Sequence, residues 1–465
     1  VQPKLSLTEG SIPRALFSFS LPILLGNVLQ SVNGSVNAIW IGKYLGAAAF
    51  AAAGNSNAVM FLLFGVIFGL SMATTIMVAQ CMGAKNVPEA KRVVGTSAVF
   101  FLGISLGLAL LGVLTTHELL AALGTPPDAL APALAYMRII FLALPFGGGL
   151  FYLMAVLRGA GDSRTPFRYL ALSVVLDIAL NPLFIFGFGP VPRLGIAGSA
   201  LATFIAQGIS FCALVAHLYR TRHFLCIHRD ELRLFRVDWR LVKVLVSKGV
   251  PMGLQLFVVS SSMLAVTKLV NGFGSEETAA FTAALQLWNY VQMPALAIAA
   301  AVSAMAAQNV GAGRWDRVGR VAITGVAFNL LSGGALILLI YAFNRAVLGL
   351  FLPGDGVSIQ IALHLNRIVL WSFALFGISI VLFGVVRATG AVIAPLVMLM
   401  ISLWGVRLSF AYLGVDRWHA EAIWWSFPFA SLASVVMSTS YYRFGGWRRA
   451  KLGLTPAAAP PLAAP

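Results

Sequence analysis

The sequence predicts an all-α fold: a polytopic membrane protein of about twelve transmembrane helices, in two six-helix lobes related by a pseudo-two-fold axis along the membrane normal. Three observations lead there. Hydrophobic residues make up 59% of the 465-residue chain and charged residues only 10%, with a mean hydropathy of +0.90, which is more apolar surface than a water-soluble core can hide. The apolar residues fall into uniform runs, most longer than the roughly 20 residues a helix needs to span a bilayer; barrel strands would be about 10 residues of alternating polarity. The chain also matches itself at a shift of about 228 residues.

Windows of about 19 residues place the apolar segments near 15–40, 55–82, 93–116, 130–157, 166–188, 194–219, 245–271, 280–309, 321–343, 360–386, 395–414 and 422–442. With the N-terminus inside, the inner loops collect Lys85, Lys91, Arg92, Arg158, Arg164, Arg168, Arg314, Arg317, Arg320 and Arg387, while the outer loops hold little beyond Lys43, Arg193, Arg345 and Arg417. The positive-inside rule then puts both termini in the cytoplasm of a multi-pass protein in a bacterial-type inner (plasma) membrane. The same spread accounts for the net charge of +17 without a nucleic-acid partner, which would ask for a basic patch on one soluble face. Cys81, Cys212 and Cys226 are odd in number and imply no disulfide framework. The first apolar run is too long for the core of a cleavable signal peptide.

The repeat sets the architecture. Ala79-Gln80-Cys81-Met82-Gly83-Ala84 matches Ala307-Gln308-Asn309-Val310-Gly311-Ala312, with Arg92 and Arg320 equally far beyond. At nearly the same shift, Arg158-Gly159-Ala160-Gly161 and Pro166 match Arg387-Ala388-Thr389-Gly390 and Pro395, and Pro22 with Gly46 match Pro251 with Gly274. Each half holds about six segments, an even number, so both halves start on the same side of the membrane. Parallel repeats of this kind are a transporter architecture. The expected division is an N-terminal lobe at 1–219, a basic cytoplasmic linker at 220–243 read as a solvated loop, a C-terminal lobe at 244–450, and an Ala/Pro-rich tail at 451–465 expected to be disordered.

Within this frame Asp177 stands out as the carboxylate placed well inside an apolar run, Leu170 to Ile185. A charge at that depth costs roughly 2.5–3.5 kcal/mol even on lenient insertion scales, so it needs a partner, a cavity or an ion. Asn181, four residues on, shares its helix face, and Pro182 lacks the N–H that would hold the carbonyl of Ile178. A carboxylate, an amide oxygen and a loosened carbonyl suit a small hard cation, or a proton held on Asp177. The alternative is a satisfied Asp–Asn pair that only locks helix packing.

Taken in order, Leu21-Pro22, Gly42-Lys43-Tyr44-Leu45-Gly46, the two Ala-Gln-x-x-Gly-Ala loops, Arg158-Gly159-Ala160-Gly161-Asp162, Asn181-Pro182-Leu183 and Gly198-Ser199-Ala200-Leu201-Ala202-Thr203 resemble the multidrug and toxic compound extrusion (MATE) family over nearly the whole chain. The resemblance implies two six-helix lobes and export of lipophilic, often cationic compounds in exchange for Na⁺ or H⁺. It also implies an N-terminal-lobe ion site of Asn37 on the first helix, Asp177 and Asn181 on the fifth, and Thr203 on the sixth. Here Asn37 stands where relatives carry an Asp, and the fifth-helix pair reads in reverse order, leaving one carboxylate where two are common. A site of charge −1 suits one proton or one monovalent cation, and the coupling ion stays open between H⁺ and Na⁺.

In the second half the acids that a branch of the family carries on its seventh and tenth helices are missing. Polar residues remain: Gln255 on the seventh segment, and Gln286, Trp288, Asn289 and Tyr290 on the eighth. Trp288 and Tyr290 are candidates to line a substrate cleft, their ring faces favouring cations, with plain core or interfacial packing as the alternative. Arg407 falls within one residue of the repeat equivalent of Asp177. It is expected to be mainly structural, bonding carbonyls or water; facing a cleft, it would admit an anionic or zwitterionic substrate. His223, Cys226 and His228 are too few, and wrongly spaced, for a structural zinc site. With no Walker loop or nucleophile elbow, the chain is read as a non-enzyme without cofactor beyond its coupling ion. The expected function is H⁺- or Na⁺-coupled antiport of a lipophilic, cationic small molecule by alternating access, by a monomer in the bilayer. The rivals are a flippase for an amphipathic or lipid-linked precursor and a non-transporting scaffold.

Overall fold

The computed structural model describes residues 7–122, 124–125, 127–187, 192–352, 356–450 and 452–453. Most of the predicted tail therefore lies outside the described residues. Among them there is no strand, and twelve helices are long and apolar enough to cross a membrane: α1 Ile12–Gly46, α2 Ala52–Gly83, α3 Val87–Leu114, α4 Ala129–Gly159, α5 Arg164–Phe186, α6 Ile196–Arg220, α7 Trp239–Asn271, α8 Ser275–Gly311, α9 Trp315–Ala342, α10 Val357–Ala388, α11 Ile393–Trp418 and α12 Ala420–Phe444. The outer faces carry the signature of a lipid environment. On α3, Leu102, Leu106, Leu110 and Leu114 recur every fourth residue and each is more than half exposed, a stripe that water would not tolerate at this length.

The backbone repeats as the sequence does. Gly46 ends α1 at φ 86°, ψ −179°, and its repeat partner Gly274 precedes α8 at φ 115°, ψ −178°. Residues with a Cβ rarely adopt either conformation, so the two glycines are required by the same turn. Gly161 and Gly390, after α4 and α10, have φ of 93° and 92°. A short helix follows α3 at Thr116–Ala122 and another follows α9 at Asn344–Leu348, again one repeat apart.

The chain forms two compact units. One contains Leu25–Val250; the other contains Pro251–Leu452 together with Leu7–Leu24. The sequence placed the whole first helix in the first lobe, but Leu7–Leu24 belong to the second unit. Asn309 Nδ2 donates to the carbonyl of Leu7 at 3.1 Å, and Arg314 and Arg317 donate to the carbonyls of Thr8 and Glu9 at 2.6 and 2.9 Å.

The 220–243 stretch differs from the solvated loop expected of it. Leu225, Cys226 and Ile227 are buried, and a 3₁₀ turn runs over Arg229–Leu234. Charged groups fasten it to the start of α3: Lys91 Nζ lies 2.6 Å from Glu231 Oε1, and Glu89 accepts from Arg240 at 3.1 Å and Arg92 at 3.3 Å. Its basic character reads as solvated only while those acids are unplaced. Burial holds the His223 imidazole below its ordinary value of 6.5 and pushes the Cys226 thiol up; His223 Nδ1 accepts from the Leu225 N–H.

In the second unit the core is aromatic. Trp288 packs among Phe281, Phe373 and Phe427 in tilted and edge-to-face contacts, with ring centroids 5.1 to 5.9 Å apart. In the first unit, Gly147 and Gly149 of α4 lie against Gln207 and Phe211 of α6, and a Cβ on Gly149 would come within 2.7 Å of the Phe211 ring. The glycine run of α4 thus serves as a seam that admits α6.

Candidate functional site

Three pairs of residues four apart, on three helices of the first unit, frame the site around Asp177, Ser199 contributing only the backbone carbonyl that Thr203 Oγ1 reaches at 3.3 Å. Asn33 and Asn37 share a face of α1, Asp177 and Asn181 a face of α5, and Ser199 and Thr203 a face of α6. Close approach of α5 and α6 is permitted by Gly198, which lies against the backbone carbonyl of Phe184 with no room for a Cβ, and by the fully buried Ala202 and Ala206.

Asp177 is 2% exposed, and four side-chain donors converge on its carboxylate. Asn33 Nδ2 and Asn37 Nδ2 donate to Oδ2 at 2.8 and 2.9 Å. Thr203 Oγ1 donates to Oδ1 at 2.9 Å and Asn181 Nδ2 to the same oxygen at 3.3 Å. Asn181 Nδ2 also donates to Asn37 Oδ1 and to the backbone carbonyl of Asp177, both at 3.0 Å. All four residues named from the sequence for ion coupling, Asn37, Asp177, Asn181 and Thr203, thus meet at one point. Asn33 was missed, although its spacing from Asn37 puts it one turn away on the same face.

Two acceptors are left over. Asn33 Oδ1 and Asn181 Oδ1 are buried with no hydrogen-bond donor, an expensive condition of about 1–3 kcal/mol each. The Asn181 amide therefore turns its nitrogen to the carboxylate, where the sequence had expected its oxygen beside the acid. Asp177, Thr203, Asn33 and Asn37 border a cavity of about 590 Å³, walled also by Phe61, Phe64, Tyr136 and Phe151. Aromatic faces beside a single acid are suited to a lipophilic cation.

The residues proposed for a substrate cleft in the second unit do not come together in the same way. Trp288 is 1% exposed, and its Nε1 donates to Asn366 Oδ1 at 3.0 Å, so it is a core residue and lines no open cleft; its apolar area is spent on ring packing. Gln255 is buried and accepts from Arg387 Nη1 at 3.0 Å. Gln286, Asn289 and Tyr290 are exposed on α8. Arg407, expected to bond carbonyls, instead lies with its guanidinium carbon 4.1 Å from the ring centroid of Phe427 on α12, its Nε buried without an acceptor.

A helical fold of twelve candidate spans, with one acid held among amides beside an aromatic cavity, defines a polytopic membrane protein of the secondary-transporter type. Comparison with known proteins gives the family. The MatE family model matches residues 22–183 and again 251–413, once in each half of the repeat. The chain is 37% identical over 447 residues to the probable multidrug resistance protein YoeA of Bacillus subtilis, covering 96% of each chain, and 33% identical over 454 residues to YpnP of the same organism, covering 96% and 98%. Among solved structures it is similar to the MATE transporter VcmN of Vibrio cholerae, with a TM-score of 0.86 at 24% identity over 94% of this chain and 98% of that one. A transporter of the wider MOP superfamily from Pyrococcus furiosus gives a TM-score of 0.85 at 20% identity, covering 97% and 98%. The chain belongs to the MatE family.

Proposed function

We propose that this protein exports lipophilic small molecules across a bacterial inner membrane by alternating access, in exchange for H⁺ or Na⁺ bound at Asp177, as a monomer with both termini in the cytoplasm. The observation that carries the reading is the Asp177 cluster: a buried carboxylate with four donors, two unpaired amide oxygens, and an aromatic-walled cavity at its edge. The relatives' names, as multidrug resistance proteins, support the cargo class.

The chemistry follows from the donor set. A proton would neutralise Asp177 and weaken the pull on Asn33, Asn37 and Thr203. A Na⁺ ion would take the carboxylate together with the two unpaired oxygens, Asn33 Oδ1 and Asn181 Oδ1, an all-oxygen shell of the kind hard cations prefer. Either event loosens the ties among α1, α5 and α6, and with them the wall of the cavity where a cationic cargo sits. One pH unit supplies about 1.4 kcal/mol and one charge crossing 100 mV about 2.3 kcal/mol, so a single coupled ion sustains roughly tenfold or greater accumulation.

Reconstitution into proteoliposomes tests this directly. Ethidium movement driven by an imposed ΔpH or ΔNa⁺ is expected with the wild-type protein and absent with Asp177→Asn at equal protein content. Gradient-driven movement that persists in the variant removes Asp177 from the coupling.

A further inference from the structure

Among the described residues three charged side chains are buried: Glu89, Asp177 and Arg407, at 3%, 2% and 7% exposure. Glu89 is met by two arginines and Asp177 by four donors. Arg407 has an aromatic ring. A guanidinium carries five N–H donors in a planar fork; a ring face returns about 2 kcal/mol or somewhat more when desolvated, against the several kcal/mol that burying an ion costs, and it satisfies none of the N–H donors.

The surrounding groups do not supply the missing acceptor. Arg407 lies in a π-helical stretch of α11, Ile401–Leu408, a rare backbone form that concentrates at functional sites. One turn back, the Leu403 carbonyl already accepts from Ser262 Oγ at 3.1 Å, and Trp404 Nε1 is spent on the carbonyl of Val258 at 3.3 Å, so α7 pins the wide turn in place. The acids of α11 and α12 are far along their helices. Asp416 is nine residues beyond Arg407, or about 13 Å of rise, and Glu421 is six residues from Phe427, or about 9 Å. Glu421 is in any case held by His364.

We infer that Arg407 is the receptor for an oxyanion, a carboxylate or phosphate, on an amphiphilic ligand, with the buried Phe427 ring backing the guanidinium from the core side. Only the description of that ligand as cargo rests on the export reading; the binding itself does not. The fork of the guanidinium matches either oxyanion through two parallel hydrogen bonds, and Phe427 holds its plane for them. The second unit then selects for negative charge where the first selects for positive, and the cargo class widens to zwitterions and anions.

The test uses the full-length protein in nanodiscs of phosphatidylcholine alone and fluorescent probes that share one ring system: 1-pyrenebutyrate and its methyl ester. Wild-type protein is expected to bind the carboxylate at least tenfold more tightly than the ester. Arg407→Gln should erase that preference and Arg407→Lys should keep part of it. Equal affinity of the wild type for the two probes, or an undiminished preference in Arg407→Gln, overturns the inference. If Arg407→Gln does not fold, the wild-type comparison and the lysine variant still decide. Displacement of pyrenebutyrate by dihexanoyl phosphatidate supports a lipid headgroup as the oxyanion, displacement by 2-naphthoate supports a free carboxylate, and displacement by neither overturns the site. Failure of gradient-driven ethidium movement in the wild type would sink the export reading while leaving this anion preference standing.

Discussion

Asp177 in the first unit and Arg407 in the second occupy nearly equivalent places in the repeat, yet the protein treats the two charges oppositely. Asp177 has two donors on each of its carboxylate oxygens, from α1, α5 and α6. Arg407 rests on one ring and pairs with no acid. A buried charge that is fully met stabilises the fold that meets it and destabilises it when removed. One left unmet is a debt of the fold, retained for something other than stability.

The largest test of that contrast is Asp177→Ala. It strands the Asn33 and Asn37 amides, each costing about 1–3 kcal/mol when left buried and unsatisfied, while Asn181 keeps Asn37 Oδ1 and the backbone carbonyl of residue 177 and Thr203 keeps the Ser199 carbonyl; the loss should be about 2–4 kcal/mol, with export falling to background. Thermal unfolding in detergent, followed by tryptophan fluorescence, reads the first effect and ethidium efflux the second. A variant as stable as wild type would mean that the donors find water instead, and the contrast would fail on its stronger side.

Asn33→Ala is the next step down. It removes one charge-assisted bond, worth about 1.5–3 kcal/mol, together with one of the two unpaired oxygens. If Na⁺ is the coupling ion, the concentration of Na⁺ needed for half-maximal export should rise several-fold; if H⁺ is, the variant should lose stability and leave the Na⁺ dependence flat. The same variant thus separates the two ions.

Arg407→Met should act with the opposite sign. Replacing an unmet buried charge by an apolar side chain of similar length is expected to stabilise by about 1–2 kcal/mol, after loss of the ring contact, and to raise the unfolding temperature of the second unit. A clear destabilisation would show that Arg407 is held by the fold for packing, and would place the two charges in the same category after all.

How much of this was legible in the sequence follows from range. The twelve helices were readable because length and hydropathy are local, and the repeat was readable because the same turns recur, as the φ values at Gly46 and Gly274 show. Asp177 and Asn181 were readable because one helix puts them together. Asn33 was not, because its partner is 144 residues away and an asparagine inside a helix carries no mark of direction. Trp288 stayed open between cleft and core for the converse reason: an aromatic residue with a polar handle fits either equally well, and only Asn366, 78 residues on, places it in the core. The linker was misread because its cations were visible in sequence and the acids they meet, Glu89 on α3 among them, were not assignable.

The smallest effect concerns a charge outside the membrane-spanning helices, where solvent softens the contrast. Hydrogen bonding from Lys91 Nζ, with help from the His228 N–H, holds the Glu231 carboxyl below its ordinary value of 4.5. A carboxylate whose folded pKa is depressed adds stability above its unfolded value and loses it as pH falls through the folded one. The docking of residues 225–235 on α3 should therefore be unchanged near neutrality and weaken only below the ordinary carboxylate range. Amide hydrogen exchange of that segment reads it, compared at each pH with Glu231→Gln, which should already show at pH 7 the faster exchange that wild type shows in acid. If the two proteins exchange alike at pH 7, the buried Leu225, Cys226 and Ile227 hold the segment by themselves, and the ion pair contributes no more than an exposed pair usually does.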